Sequence, residues 1–177
     1  MKAEEMKPVK PYYLLDREEQ DLMERDMCAR IPYCPKFHYF HEFEDGEDID
    51  FDGEISEYHA ANFEIKPDGS DEVVSLYHCR LYLRPISSLT FDEICEIESA
   101  AESVGYPAMF DIEEDGLIYH TKDLATIPPD MFDVMNRLHI DYRGLIAKGL
   151  ALEAPQGMYN ELLKHETNDH HERKNPL

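Results

Sequence analysis

Apolar and polar positions alternate in two different rhythms along this chain, and the change of rhythm organises it. From Leu14 to Ala29, the residues Leu14, Leu15, Leu22, Met23 and Met27 recur among charges at roughly helical spacing, and Asp16 is placed to accept hydrogen bonds from a first turn. That pattern predicts a short helix. From Arg30 to about Pro85 the period shortens to two: Tyr33, Phe37 and Tyr39 alternate with polar neighbours, as do Ile49 with Phe51, Phe63 with Ile65, and Val74 and Leu76 with Leu81 and Leu83 further on. The dipeptides Asp45-Gly46, Asp52-Gly53 and Asp68-Gly69 fall between these runs and are the residues that tight hairpin turns favour. The expectation is a meander of about five short antiparallel strands, the size of an SH3-like or other small barrel.

After Pro85 the helical rhythm returns. Thr90 and Glu93 stand in the relation of a capping box, and Phe91, Ile94, Ile97, Ala101 and Val104 form one apolar stripe that Gly105 would end. Ala108 to Ile112 and Leu117 to His120 flank Asp115-Gly116 as a second hairpin. Pro128 and Pro129 open a helix from Met131 to about Leu138, because proline is tolerated in a first turn and not beyond it. Asp141 is placed to cap a further short helix ending at Gly149. The predicted class is α+β: a helical lead-in over 1–29, a small barrel-like antiparallel β-meander over 30–86, a lobe of short helices and a β-hairpin over 87–167, and a polar, disordered tail over 168–177.

Composition narrows the class of function. The chain has 177 residues, enough for one domain with a substantial core, and Tyr and Phe supply much of its large apolar surface because Trp is absent. No apolar run approaches the ~20 residues of a bilayer-spanning helix. Met1 to Lys10 has lysines but also Glu4 and Glu5 and no apolar stretch, which is unlike a secretion signal and points to a cytoplasmic protein. Cys28, Cys34, Cys79 and Cys95 are then read as free thiols. The net charge is −22, and between Glu42 and Asp130 there are 24 acidic residues against Lys66, Arg80, Arg84 and Lys122. Such a field repels nucleic-acid phosphate and anionic lipid, so direct nucleic-acid and membrane binding are not expected. It favours cations, basic protein surfaces, or proteins whose normal ligand is DNA.

Three groups of residues invite a chemical reading. Asp48, Asp50 and Asp52, followed by Gly53 and Ile55, match the start of a calcium loop, in which alternate carboxylates converge on a hard cation and glycine permits the sharp turn. His59 stands where the closing bidentate glutamate belongs, and the flanks read as strands, so an acidic hairpin turning at Asp52-Gly53 is the simpler account. Cys28, Cys34, His38 and His41 have the ligand types of zinc, but a strand sends His38 and His41 to opposite faces. His78 and Cys79 are adjacent, and a strand separates them in the same way. There is no G-x-S-x-G elbow, no G-x-G-x-x-G and no G-x-x-x-x-G-K, so nothing supports an enzyme. Near the end, Leu145, Ile146, Leu150 and Leu152 form an apolar face beside Tyr142, Arg143 and Lys148; completion of a core, with Arg143 paired to a carboxylate, is the plainer reading.

Three segments carry a resemblance: 27–33 (MCARIPY), 82–89 (YLRPISSL) and 133–159 (DVMNRLHIDYRGLIAKGLALEAPQGMY). They resemble uncharacterised small proteins of Bacteroidetes and their prophages or mobile elements, which carry C-A-R-L-P-Y-G, Y-L-R-P-M-S-S-M and a closing D-Y-R-G-L-I-x-K-G-L-A-L-E-A-P. Cys34 stands where that pattern has glycine. The resemblance implies a bacterial or phage accessory protein and brings no activity, cofactor or site residue with it. The resulting expectation is an acidic, non-enzymatic interaction protein with a protein partner, basic in character. A nucleic-acid-mimicking inhibitor of a DNA-binding enzyme and a weak calcium-binding module at Asp48, Asp50 and Asp52 are the alternatives.

Overall fold

The computed structural model describes residues 10–41, 49–59, 64–102, 110–113, 116–119 and 129–159. The fold is α+β. Its first helix, α1 (Arg17–Arg30), starts at a reciprocal capping box: the Asp16 carboxylate accepts from the Glu19 amide at 2.9 Å, and the Asp16 amide donates back to the Glu19 carboxylate at 3.2 Å. The face that α1 buries is Met23, Asp26, Met27 and Arg30. Half of that stripe is charged, which is why the apolar rhythm before Arg30 is faint. Leu14 lies ahead of the helix and is 64% exposed.

A single 3-10 turn at Ile31–Tyr33, the place of Tyr33 instead of a strand, leads into the sheet. Its strands are β1 (Lys36–His41), β2 (Ile49–His59), β3 (Glu64–Pro67), β4 (Val74–Ser75) and β5 (Cys79–Leu83). A late strand, β8 (Leu152–Glu153), completes the order β4-β3-β2-β1-β5-β8. All neighbours are antiparallel except β5 with β8. The five expected strands are present, but β5 returns to the far side of β1, and the sheet does not close into a barrel. The edge of β5 that closure would need is occupied by β8.

The expected turn at Asp52-Gly53 is not a turn. Both residues lie inside β2, where Asp52 is opposite His38 and Gly53 opposite Phe37. The glycine serves packing instead: a Cβ at Gly53 would come within 2.9 Å of the Phe37 ring. Asp68-Gly69 does turn the chain, with Gly69 at φ +72°, in the left-handed region that glycine enters without steric cost. Asp45-Gly46 lies outside the described residues.

The inner face of the sheet, with Phe37, Tyr39, Ile55, Ile65, Leu81 and Leu83, packs together with Leu76 of the 3-10 turn Leu76–His78 against Met23 and Met27 of α1 and against Leu145, Leu150 and Ala151. A second cluster joins Ile97 and Ala101 of α2 (Phe91–Glu102) to Met131 and Met135 of α3 (Pro129–Arg137), with Leu138, Ile140 and Tyr142 beyond it. The predicted stripe of α2 is rotated. Phe91 is 77% exposed, and the buried row is Glu93, Ile97 and Ala101. Glu93 is drawn inward because it closes the capping box with Thr90 and receives two bonds from Arg84, at 2.6 and 3.0 Å. Val104 and Gly105 lie outside the described residues.

The expected second hairpin is present as β6 (Phe110–Glu113) paired antiparallel with β7 (Gly116–Tyr119), Glu113 opposite Gly116; Asp115 lies outside the described residues. The short α4 (Leu145–Lys148) ends on Gly149 at φ +73°. Asp141 caps α4 from outside its first turn, accepting from the Leu145 and Ile146 amides at 2.7 and 2.8 Å.

Candidate functional site

The site begins with parity. In β1, Phe37 and Tyr39 are buried, so Lys36, His38 and Phe40 face outward. Their partners on β2, Glu54, Asp52 and Asp50, share that outer face. From β5, Tyr82 joins the group, and Arg80, opposite His38, lies on the same face but is buried and donates to the Cys79 and Lys10 carbonyls. His38 holds Asp52 through Nδ1 at 3.0 Å, and its Nε2 lies 3.6 Å from an Asp50 oxygen. The Tyr82 hydroxyl donates to the same Asp52 oxygen at 2.8 Å, and the His38 and Tyr82 rings meet edge to face at 6.4 Å. Asp50 and Asp52 remain 60% and 63% exposed at the side chain, and Phe40 is 42% exposed beside them.

These contacts set the charge states. Partial burial pushes the Asp52 carboxyl up, but the hydrogen bonds from His38 and Tyr82 prevail and hold it below the usual carboxylate range. Burial, and then its bond to Asp52, pushes the Tyr82 phenol up to about 12. At neutral pH the face therefore presents an oriented carboxylate and a protonated phenol. That arrangement suits recognition of positive charge and offers no activated nucleophile.

Of the sequence-predicted calcium ligands, Asp50 and Asp52 lie on one face of an extended strand with His38 against both, and Asp48 lies outside the described residues. The backbone there is strand, not the tight loop that wraps a cation. The zinc quartet is separated. His38 faces outward, whereas His41 faces His78 with nitrogens 3.0 and 3.1 Å apart, and Cys28 and Cys34 are exposed. No group of three or more His, Cys, Asp or Glu side chains converges as a metal site among the described residues. Cys79 is buried, its thiol pushed up by burial and its hydrogen donated to the Ser75 carbonyl at 3.4 Å, which is the environment of an inert thiol.

A second polar group is internal. Asp26 and Arg30 of α1 are both fully buried, joined at 2.7 and 3.1 Å, and Arg30 also donates to the Ile140 carbonyl at 2.8 Å. Arg143 donates to Asp26 at 2.8 Å and lies over the Tyr142 ring at 4.9 Å, so Arg143 ties the closing segment to α1 instead of projecting as an interface anchor. Leu145 and Leu150 are core, as the plainer reading has it. Next to this network, His139 is fully buried at φ +55° and stacks on Tyr159 at 4.1 Å. Burial first, then the Arg30 and Arg84 charges, push its pKa down to about 3, against the smaller opposing pull of the Tyr33 carbonyl.

Sequence reasoning missed the cross-strand group of His38, Asp52 and Tyr82 and this internal network. The available signals were the i, i+4 spacing of Asp26 and Arg30 and the strand alternation of His38. Both are too common to single out.

No known protein family, curated protein or solved structure matches this chain. Among the described residues no helix is long and apolar enough to cross a membrane. What the geometry defines is a class: an α+β protein whose sheet is buried on one face and on the other, along β1 and β2, sets Asp50, Asp52 and Glu54 against Phe40, His38 and Lys36.

Proposed function

We propose that this chain is a non-enzymatic, cytoplasmic interaction protein of bacterial, prophage or mobile-element origin, and that it engages a basic protein surface through the outer face of β1 and β2. The observation that carries this reading is the exposed pair Asp50 and Asp52, held in place by His38 and Tyr82 beside an exposed Phe40. Ordered charge next to an aromatic side chain is the composition of a recognition patch. The bacterial origin rests on the resemblance carried by 27–33, 82–89 and 133–159.

Mimicry of nucleic acid is less well supported. Its carboxylate row is interrupted where Asp52 is engaged by His38 and Tyr82 and where Glu54 sits opposite Lys36. The test is affinity capture from host cells with the wild type and with the triple variant F40A/D50N/D52N. Proteins retained by the wild type, lost from the variant and released at about 1 M salt, where the screening length falls to about 3 Å, support the proposal. Identical capture by both proteins would remove it.

A further inference from the structure

β2 carries its two neighbours on different halves. Ile49 to Glu54 pair with β1, while Ile55 and Glu57 to His59 pair with β3 on the opposite side. Along Ile49 to Gly53, the side of β2 turned away from β1 therefore has no strand against it among the described residues. β3 does not extend there: the last backbone bond on that side runs from the Asp68 amide to the Glu54 carbonyl at 2.8 Å, and the chain turns at Gly69 toward β4. The open stretch spans about 17 Å at the strand rise. Ile49, Asp50 and Asp52 along it are exposed.

Unpaired edges of this length invite a further strand, and their side chains decide which one. The outer row here is Asp50 and Asp52. The inner row centres on Phe51, whose ring packs on Tyr39 at 5.1 Å and on Phe37 at 6.0 Å. A second copy of this edge would set aspartate against aspartate, and like charges opposed across strands are destabilising. A strand with Lys or Arg facing Asp50 and Asp52, and an apolar residue extending the layer of Phe51, satisfies both rows.

We infer that this edge of β2 is the docking site for an extended segment of another protein in which basic and apolar residues alternate, added by main-chain pairing. The inference rests on the interaction reading above and gives that partner its chemistry.

The test is fluorescence anisotropy with the full chain and a labelled peptide of alternating Lys and Val. Its companions are a peptide of the same composition in block order, one of alternating Glu and Val, and two versions of the parent N-methylated at alternate amides in either register. The parent binds. The block peptide and one N-methylated register lose about tenfold or more, as removal of two or three main-chain bonds requires, and the Glu peptide does not bind. The folded double variant D50N/D52N loses about fivefold for the parent.

Equal binding of the block and both N-methylated peptides means charge attraction alone and overturns the inference, as does absence of binding by the parent. Self-association of the chain that the parent peptide competes away would assign the edge to a second copy and overturn it equally. If the peptide fails while F40A/D50N/D52N still abolishes capture of a host protein, the edge reading falls and the proposed function stands. If both fail, both fall.

Discussion

Lowering the pH from 7 to 5 protonates His139 in the unfolded chain but not in the folded one. The folded-state pKa lies near 3 because the ring is buried, with Arg30, Arg84 and Lys36 adding positive charge around it, while an unfolded histidine titrates near 6.5. A folded pKa below the unfolded value means that the unfolded state binds the proton first. The stability present above pH 6.5 is therefore lost progressively as the pH falls toward 3. Between pH 7 and pH 5 the loss amounts to about 2 kcal/mol, which for a chain of this size lowers the melting midpoint by roughly 4–8 °C.

Burial and its neighbours His41 and Arg80 push His78 down as well, so the wild-type slope alone does not isolate His139. The comparison is H139N: asparagine does not titrate and tolerates the φ of +55° at this position. Its lost stacking on Tyr159 lowers the midpoint at pH 7. Its stability falls less between pH 7 and 5, by about 2 kcal/mol. Urea unfolding at half-unit pH steps measures both slopes, and parallel slopes would refute the assignment.

Other outcomes follow from single contacts. D26A leaves Arg30 and Arg143 buried or half-buried without their shared carboxylate, and chemical denaturation should show a loss of about 3–5 kcal/mol. G53A places a methyl group against the Phe37 ring and costs about 1–3 kcal/mol. G69A meets open space but keeps a positive φ, so its cost, about 1–2 kcal/mol, is purely conformational; a Phe37→Leu background should relieve G53A and leave G69A unchanged. Because Asp50 and Asp52 lie along an extended strand, millimolar calcium should leave the melting midpoint where it is, and a rise would revive the calcium reading.

Local signals survived folding wherever the chemistry is contained within a few residues. Asp16 before α1, Thr90 with Glu93, Asp141 before α4 and Gly149 after it were legible because a cap satisfies backbone groups one turn away. Asp52-Gly53 misled because the same dipeptide that suits a turn also suits a strand crossed by an aromatic ring, and only the position of Phe37 distinguishes them. Phe91 misled because periodicity specifies a stripe but not its rotation, which the Arg84–Glu93 pair set.

By itself the sequence determined the α+β class, the alternation of strands and helices, the caps, and the concentration of acidic residues in the centre of the chain. These depend on composition and on contacts within one or two turns. Tertiary structure alone decided that β5 returns beside β1, that β8 takes the edge a barrel would have used, and that His38, Asp52 and Tyr82 meet on one face. It also decided that Asp26, Arg30 and Arg143 meet inside the fold. Each of these brings together residues from separate elements of the chain, and their register follows from how the whole sheet buries its apolar face, a choice that no local spacing encodes.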